Sequence, residues 1–145
     1  MIVADLSSMT SPRLAAIATN ATVRAAASVL SQLGVGMAVV CNEAGLVVGV
    51  VSKSDLVRHL AGDGTSADDL TQVMTRDVIT CSAGDELQMV YKDMVARRLQ
   101  NAPVLNAESR PVGVLDIRDA LRALLQSEEY EEQLLVNYVS GVGYQ

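Results

Sequence analysis

The feature that most limits what this chain can fold into is an internal duplication. Val48-Gly49-Val50 and Val112-Gly113-Val114 match at a separation of 64 residues. The same separation, held without a gap, pairs Asp55 with Asp119, Arg58 with Arg122 and Leu60 with Leu124. Upstream it pairs Asn42 with Asn106, Val40 with Val104 and Ala38 with Ala102. Helical periodicity repeats as well. Val23, Ala26, Ala27 and Leu30 have the i, i+3, i+4, i+7 spacing of one helix face, and Leu87, Val90, Tyr91 and Met94 stand at the equivalent places. A chain built this way must make one small unit twice.

Each unit reads as strand, helix, two strands around a polar turn, and a second helix. The predicted strands are Leu14 to Ile17, Met37 to Cys41 and Leu46 to Val51, then Val78 to Cys81, Ala102 to Leu105 and Arg110 to Leu115. The predicted helices are Thr22 to Leu33, Lys53 to Ala61, Asp85 to Arg98 and Ile117 to Gln126. Asn42-Glu43-Ala44-Gly45 and Asn106-Ala107-Glu108-Ser109 supply the hairpin turns. The division is residues 9–61 for the first unit, 62–77 for a linker and lead-in segment (with a short helical turn near Asp68 to Met74), 78–126 for the second unit, and 127–145 for a helical tail. One unit of three strands is too small to bury its apolar faces, so the two must pack together. The fold class is α+β: two β-α-β-β-α units related by a pseudo-twofold axis. In the tail, glutamates at 128, 129, 131 and 132 alternate with Tyr130, Leu134, Leu135 and Tyr138, which predicts a helix with an acidic outer face that docks on the body or on a second copy. The last glycines, Gly141 and Gly143, are expected to fray.

Composition narrows the function. Half the residues are hydrophobic, but there is no Trp or Phe, so the core must be aliphatic. Net charge is −6 and no long basic cluster exists, which argues against nucleic acid but leaves room for a local pocket for a small anion. Cys41 and Cys81 lie in apolar runs and read as free buried thiols; with one histidine they make no typical zinc site. No basic stretch precedes a long apolar core near Met1, and the longest apolar runs are too short to span a bilayer, so a cytoplasmic protein is expected.

The polar residues that recur follow the last strand of each unit: Ser52-Lys53-Ser54-Asp55 and Asp116-Ile117-Arg118-Asp119. A hydroxyl or carboxylate at the N-cap with a carboxylate three residues on can form a capping box, which needs no ligand. The same place suits ligand binding, because a helix N-terminus attracts anions. There a carboxylate can accept from both hydroxyls of a ribose. Ser52 would donate to a phosphate, and Lys53 or Arg118 would neutralise it.

The strand–Gly-Val-Val-Ser-x-x-Asp–helix pattern, present twice, resembles a tandem pair of CBS motifs (the cystathionine β-synthase domain family, or Bateman module). Val73-Met74-Thr75-Arg76-Asp77-Val78-Ile79-Thr80 and Ala102-Pro103-Val104 are similar to the family's lead-in and central strand, and the resemblance covers about residues 9–126. It implies a non-catalytic regulatory module with two clefts, a homodimer, and an adenine-containing ligand such as AMP, ATP or S-adenosylmethionine. It further implies that Asp55 and Asp119 hold ribose and that Ser52 faces phosphate. Thr80, Ala102, Pro103 and Val104 would line the second base pocket, and Ala16, Ala38 and Val39 the first. The family usually has Ser or Thr where this chain has Asp116, and a carboxylate there repels phosphate unless a metal or Arg118 offsets it. Val39 stands in place of Pro103, and Ala16 in place of Thr80. The Asp119 cleft is therefore the expected nucleoside site, with phosphate on the Ser52 side. The alternative is a ligand-free structural or dimerisation module that binds a protein partner. An enzyme is disfavoured: there is no Walker loop or GxGxxG turn, and His59 is expected on the surface or at an interface.

Overall fold

The computed structural model describes the backbone of residues 1–137 and the side chains of residues 1–128. Each unit forms its own three-stranded sheet. The first contains β1 (Ala16–Ala18), β2 (Ala38–Cys41) and β3 (Val47–Val51); the second contains β4 (Cys81–Ser82), β5 (Asn101–Leu105) and β6 (Pro111–Asp116). In both, the first strand runs parallel to the second and the second antiparallel to the third. The parallel pairing needs a crossover, which α2 (Val23–Leu30) and α4 (Leu87–Ala96) provide. A short α1 (Ser7–Thr10) precedes the first sheet, and α3 (Lys53–Ala61) and α5 (Ile117–Asn137) close the units.

The duplication extends to irregularities. The ladder slips between Val40 and Cys41, and again at the equivalent Val104 and Leu105. Asn42 Oδ1 accepts the Leu46 N–H at 3.0 Å, and Asn106 Oδ1 accepts the Arg110 N–H at 3.0 Å. These turns put Gly45 at φ 80° and its counterpart Ser109 at φ 62°, a region that costs nothing for glycine but strains serine.

There are two aliphatic cores. Val23, Ala26, Leu30, Ala38, Val40, Val51 and Leu56 fill the first; Leu87, Met94, Ala102, Val104, Leu115 and Ala120 fill the second. Burying a Leu or Val side chain is worth about 1.5–3 kcal/mol. Lead-in segments cross over between the cores. Leu70 and Met74, which precede the second unit in sequence, complete the first core. Val3 and Leu6 complete the second. The crossing is close: a Cβ added at Gly49 would come within 2.6 Å of Met74 Sδ, and one at Gly113 within 2.7 Å of Thr10 Oγ1. Val50 and Thr75 exchange backbone hydrogen bonds at 3.0 and 2.9 Å. Neither unit therefore has a complete core from its own sequence alone.

Several expectations shift. The linker turn is a 3-10 turn at Leu70–Gln72. The helical tail is not a separate element: α5 runs unbroken through Asn137, because no Gly or Pro interrupts the segment. The tail's side chains from residue 129, and residues 138–145 with Gly141 and Gly143, lie outside the described residues. His59 is half-buried, at a contact between α3 and the linker rather than on the open surface. Its side chain is 14% exposed, and Nε2 lies 2.8 Å from Asp68 Oδ2, tying α3 to the inter-unit linker. Cys41 and Cys81 are free, the first half-buried and the second buried. Burial, with the nearby Asp85 charge, pushes the Cys81 thiol up to about 12. Among the described residues no helix is long and apolar enough to cross a membrane.

Candidate functional site: a cationic cleft between two strand-to-helix junctions

In the first unit the chain leaves β3 at Val51, passes through extended Ser52, and enters α3 at Lys53. Ser52 Oγ accepts the Asp55 N–H at 3.3 Å, and Asp55 Oδ2 accepts the Ser52 N–H at 2.8 Å. That is the reciprocal capping box expected from the spacing. Arg58, on the exposed side, donates to Asp55 Oδ1 at 3.3 Å.

The second junction has the same backbone path and different chemistry. Asp116 caps α5 by accepting the Arg118 N–H at 2.8 Å, and the Arg118 guanidinium grips both its oxygens at 3.0 and 2.7 Å. Asp119 turns away from the cap. Arg13, from the lead-in segment, donates Nε to Asp119 Oδ2 at 2.7 Å and a terminal nitrogen to Oδ1 at 3.3 Å. The other terminal nitrogen of Arg13 donates to the Gly34 carbonyl of the first unit at 2.9 Å, and it lies 3.9 Å from Asp116. Arg122 adds a contact to Asp119 at 3.5 Å. Both aspartates are almost fully buried. Burial works against ionisation of Asp116, but the Arg118 hydrogen bonds and the Arg118 and Arg13 charges outweigh it and hold the carboxyl below its ordinary range. Arg118 thus pairs with the charge of the Asp116 carboxylate.

A cleft of about 550 Å³ opens between the units. From the first unit it is lined by the Ser31–Gly36 loop and by Ser52, Lys53 and Ser54; from the second by Gln100, Asn101 and Arg118; and by Arg13. It brings together three residues singled out in the sequence: Ser52, Lys53 and Arg118. Asp119 lines a neighbouring depression of about 340 Å³ that shares Arg13, Leu33 and Gly34 with the cleft. Thr80 lies elsewhere, in a hollow with Cys81, Asp85 and Met89. Ala38, Val39, Ala102, Pro103 and Val104 are buried strand residues, Ala16 is exposed on β1, and Asp55 is half-buried in its cap. Sequence reading missed Arg13 and Asn101. A signal for Arg13 existed: at the equivalent place in the second unit stands Asp77, a reversal of charge within an otherwise matching pair.

Comparison with known proteins agrees with this architecture. The CBS domain model matches residues 3–62 and 69–126. Arabinose 5-phosphate isomerase GutQ of Salmonella typhi is 30% identical over 94 residues, which are 65% of this chain and 29% of that protein. Homoserine O-acetyltransferase of Methanococcoides burtonii is 28% identical over 112 residues, 77% of this chain and 22% of its own length. The chain thus spans less than a third of the length of either relative. A CBS domain pair solved with 5′-methylthioadenosine and S-adenosyl-L-methionine superimposes with TM-score 0.74 at 22% identity, covering 88% of this chain and 98% of that one. A CBS domain protein from Pyrobaculum aerophilum complexed with AMP gives TM-score 0.72 at 25% identity, covering 82% and 89%. With both halves of the duplication matched by the same model, and their paired sheets reproduced in solved domain pairs, the chain belongs to the CBS domain family.

Proposed function

We propose that the chain is a non-catalytic regulatory module that binds an adenine-containing ligand in the cleft between its two CBS motifs and reports occupancy to a protein partner. The observation that carries this reading is the cleft itself. Both junctions meet there, the Ser52 end of α3 and Arg118 at the start of α5, with Arg13 and Lys53 beside them. Helix N-termini and cations together suit the phosphates of AMP, ADP or ATP. The family relative complexed with AMP supports the ligand class. Homodimerisation belongs to the same proposal: Val57 on α3 and Leu121 at the equivalent place on α5 are 67% and 40% exposed, apolar positions a second copy would cover.

A second reading has one specific observation behind it. Asp116 and Asp119 are already satisfied by arginines without any ligand, as in a structural scaffold that binds a protein partner. Thermal unfolding separates the two. Against AMP, ADP, ATP, S-adenosylmethionine and NAD, with and without magnesium, a true ligand at a hundredfold its Kd adds about 2.7 kcal/mol. For a chain of this size that raises Tm by roughly 6–10 °C. A flat response to the whole series refutes the sensor and leaves the scaffold.

A further inference from the structure

We infer that Arg13 sets the ligand chemistry of this cleft: it withholds Asp119 from a ribose and makes a di- or triphosphate group the part of the ligand that is gripped. This deepens the nucleotide reading and rests on it for the adenine part only.

The carboxylate of Asp119 has both oxygens engaged by one guanidinium, and its side chain is 4% exposed. A ribose diol would have to break a 2.7 Å charge-assisted bond to reach it, and would cost Arg13 its bidentate carboxylate partner. Arg13 is fixed from a third direction by the Gly34 carbonyl, so it is held by both units at once. Among the described residues three of its five N–H donors are used in this way, which leaves two for a ligand. Around the two carboxylates, Asp116 and Asp119, stand four cations: Arg13, Arg118 and Arg122, and Lys53 on the facing wall of the cleft. The surplus is positive, in a chain whose net charge is −6. Such a surplus matches a polyphosphate; it offers nothing to a neutral nucleoside and repels a sulfonium. The first motif lacks the device, because the residue equivalent to Arg13 is Asp77, and among the described residues Asp55 is paired only with the exposed Arg58.

The test is calorimetric titration of the full chain at fixed, low ionic strength with three probes: ATP, inorganic triphosphate and 5′-methylthioadenosine. ATP is expected to bind about a hundredfold tighter than methylthioadenosine, since charge-assisted contacts to phosphate supply most of the affinity. Inorganic triphosphate should bind and compete with ATP. Arg13→Gln should weaken triphosphate about tenfold while methylthioadenosine holds or gains. Should Arg13→Gln fail to fold, Arg13→Gln combined with Asp119→Asn removes the uncompensated carboxylate and should show the same tenfold loss. Methylthioadenosine binding the wild type as tightly as ATP, or triphosphate indifferent to both variants, overturns the inference while leaving an adenine sensor intact. Triphosphate binding with no adenosine compound bound sustains the anion grip and removes the adenine reading. No binding by any of the three overturns both.

Discussion

The two strand-to-helix junctions share a backbone and differ in what their aspartates do. At residues 52–55 the contacts are local: Ser52 and Asp55 cap each other, and the ion pair of Asp55 with Arg58 spans three residues on an exposed face. At residues 116–119 they are long-range: Asp119 is held by Arg13, 106 positions earlier in the chain, and Arg13 also reaches back to Gly34 of the first motif. The two motifs share a fold, and charge differences at two places, Asp116 opposite Ser52 and Arg13 opposite Asp77, make the second junction a tie between motifs. A capping box stabilises its own helix. A buried ion pair between segments makes the geometry of the cleft depend on both motifs at once.

That contrast breaks most decisively if the two arginines prove equivalent. Arg13→Ala leaves a nearly buried carboxylate with only the 3.5 Å contact to Arg122 and should cost about 2–3 kcal/mol, below the range for fully buried pairs because Arg122 remains and Arg13 is itself 24% exposed. Arg58→Ala should cost about 0.5 kcal/mol or less. Urea midpoints measure both, and equal losses would refute the asymmetry. Acid sharpens the same point. The folded-state pKa of Asp116 lies below its ordinary 3.8, so its stabilisation is fully present above about pH 4 and is lost as pH falls from there through the folded value. Asp116→Asn should flatten stability against pH below 4 by up to about 1.4 kcal/mol per pH unit. An unchanged acid limb would mean that Asp116 is not held ionised by Arg118.

The local junction should respond more mildly. Ser52→Ala removes one cap and should cost about 1 kcal/mol, read from the same urea transitions, without altering pH dependence. A much larger loss would show that Ser52 does more than cap. Smallest is the turn pair, where Ser109→Gly relieves a left-handed serine and should gain about 0.5 kcal/mol, matching the glycine already at residue 45. No gain would mean that the turn tolerates serine without strain.

What could be read in advance followed from local rules. The hairpin turns at Asn42 and Asn106, the helix faces at Val23 and Leu87, and the Ser52–Asp55 box are set by spacings of two to seven residues, and the 64-residue separation reported them twice. The crossing of lead-in segments was not legible, because Val3 and Met74 look the same whichever core they enter. The only signal for Arg13 was its charge reversal against Asp77; that it pairs with Asp119 was not legible, because the partner is 106 residues away and no periodicity links them. The long α5 was divided too early because the repeat ends near residue 126, although the helix-forming composition does not.

The central claim is one anion-gripping adenine site built jointly by both motifs, and counting bound nucleotide tests it most directly. Titration of ATP into the full chain, followed by calorimetry, should saturate at one ATP per chain and lose that binding in Lys53→Gln combined with Arg118→Gln. Two equivalent sites per chain, or no saturable heat at all, would contradict the account.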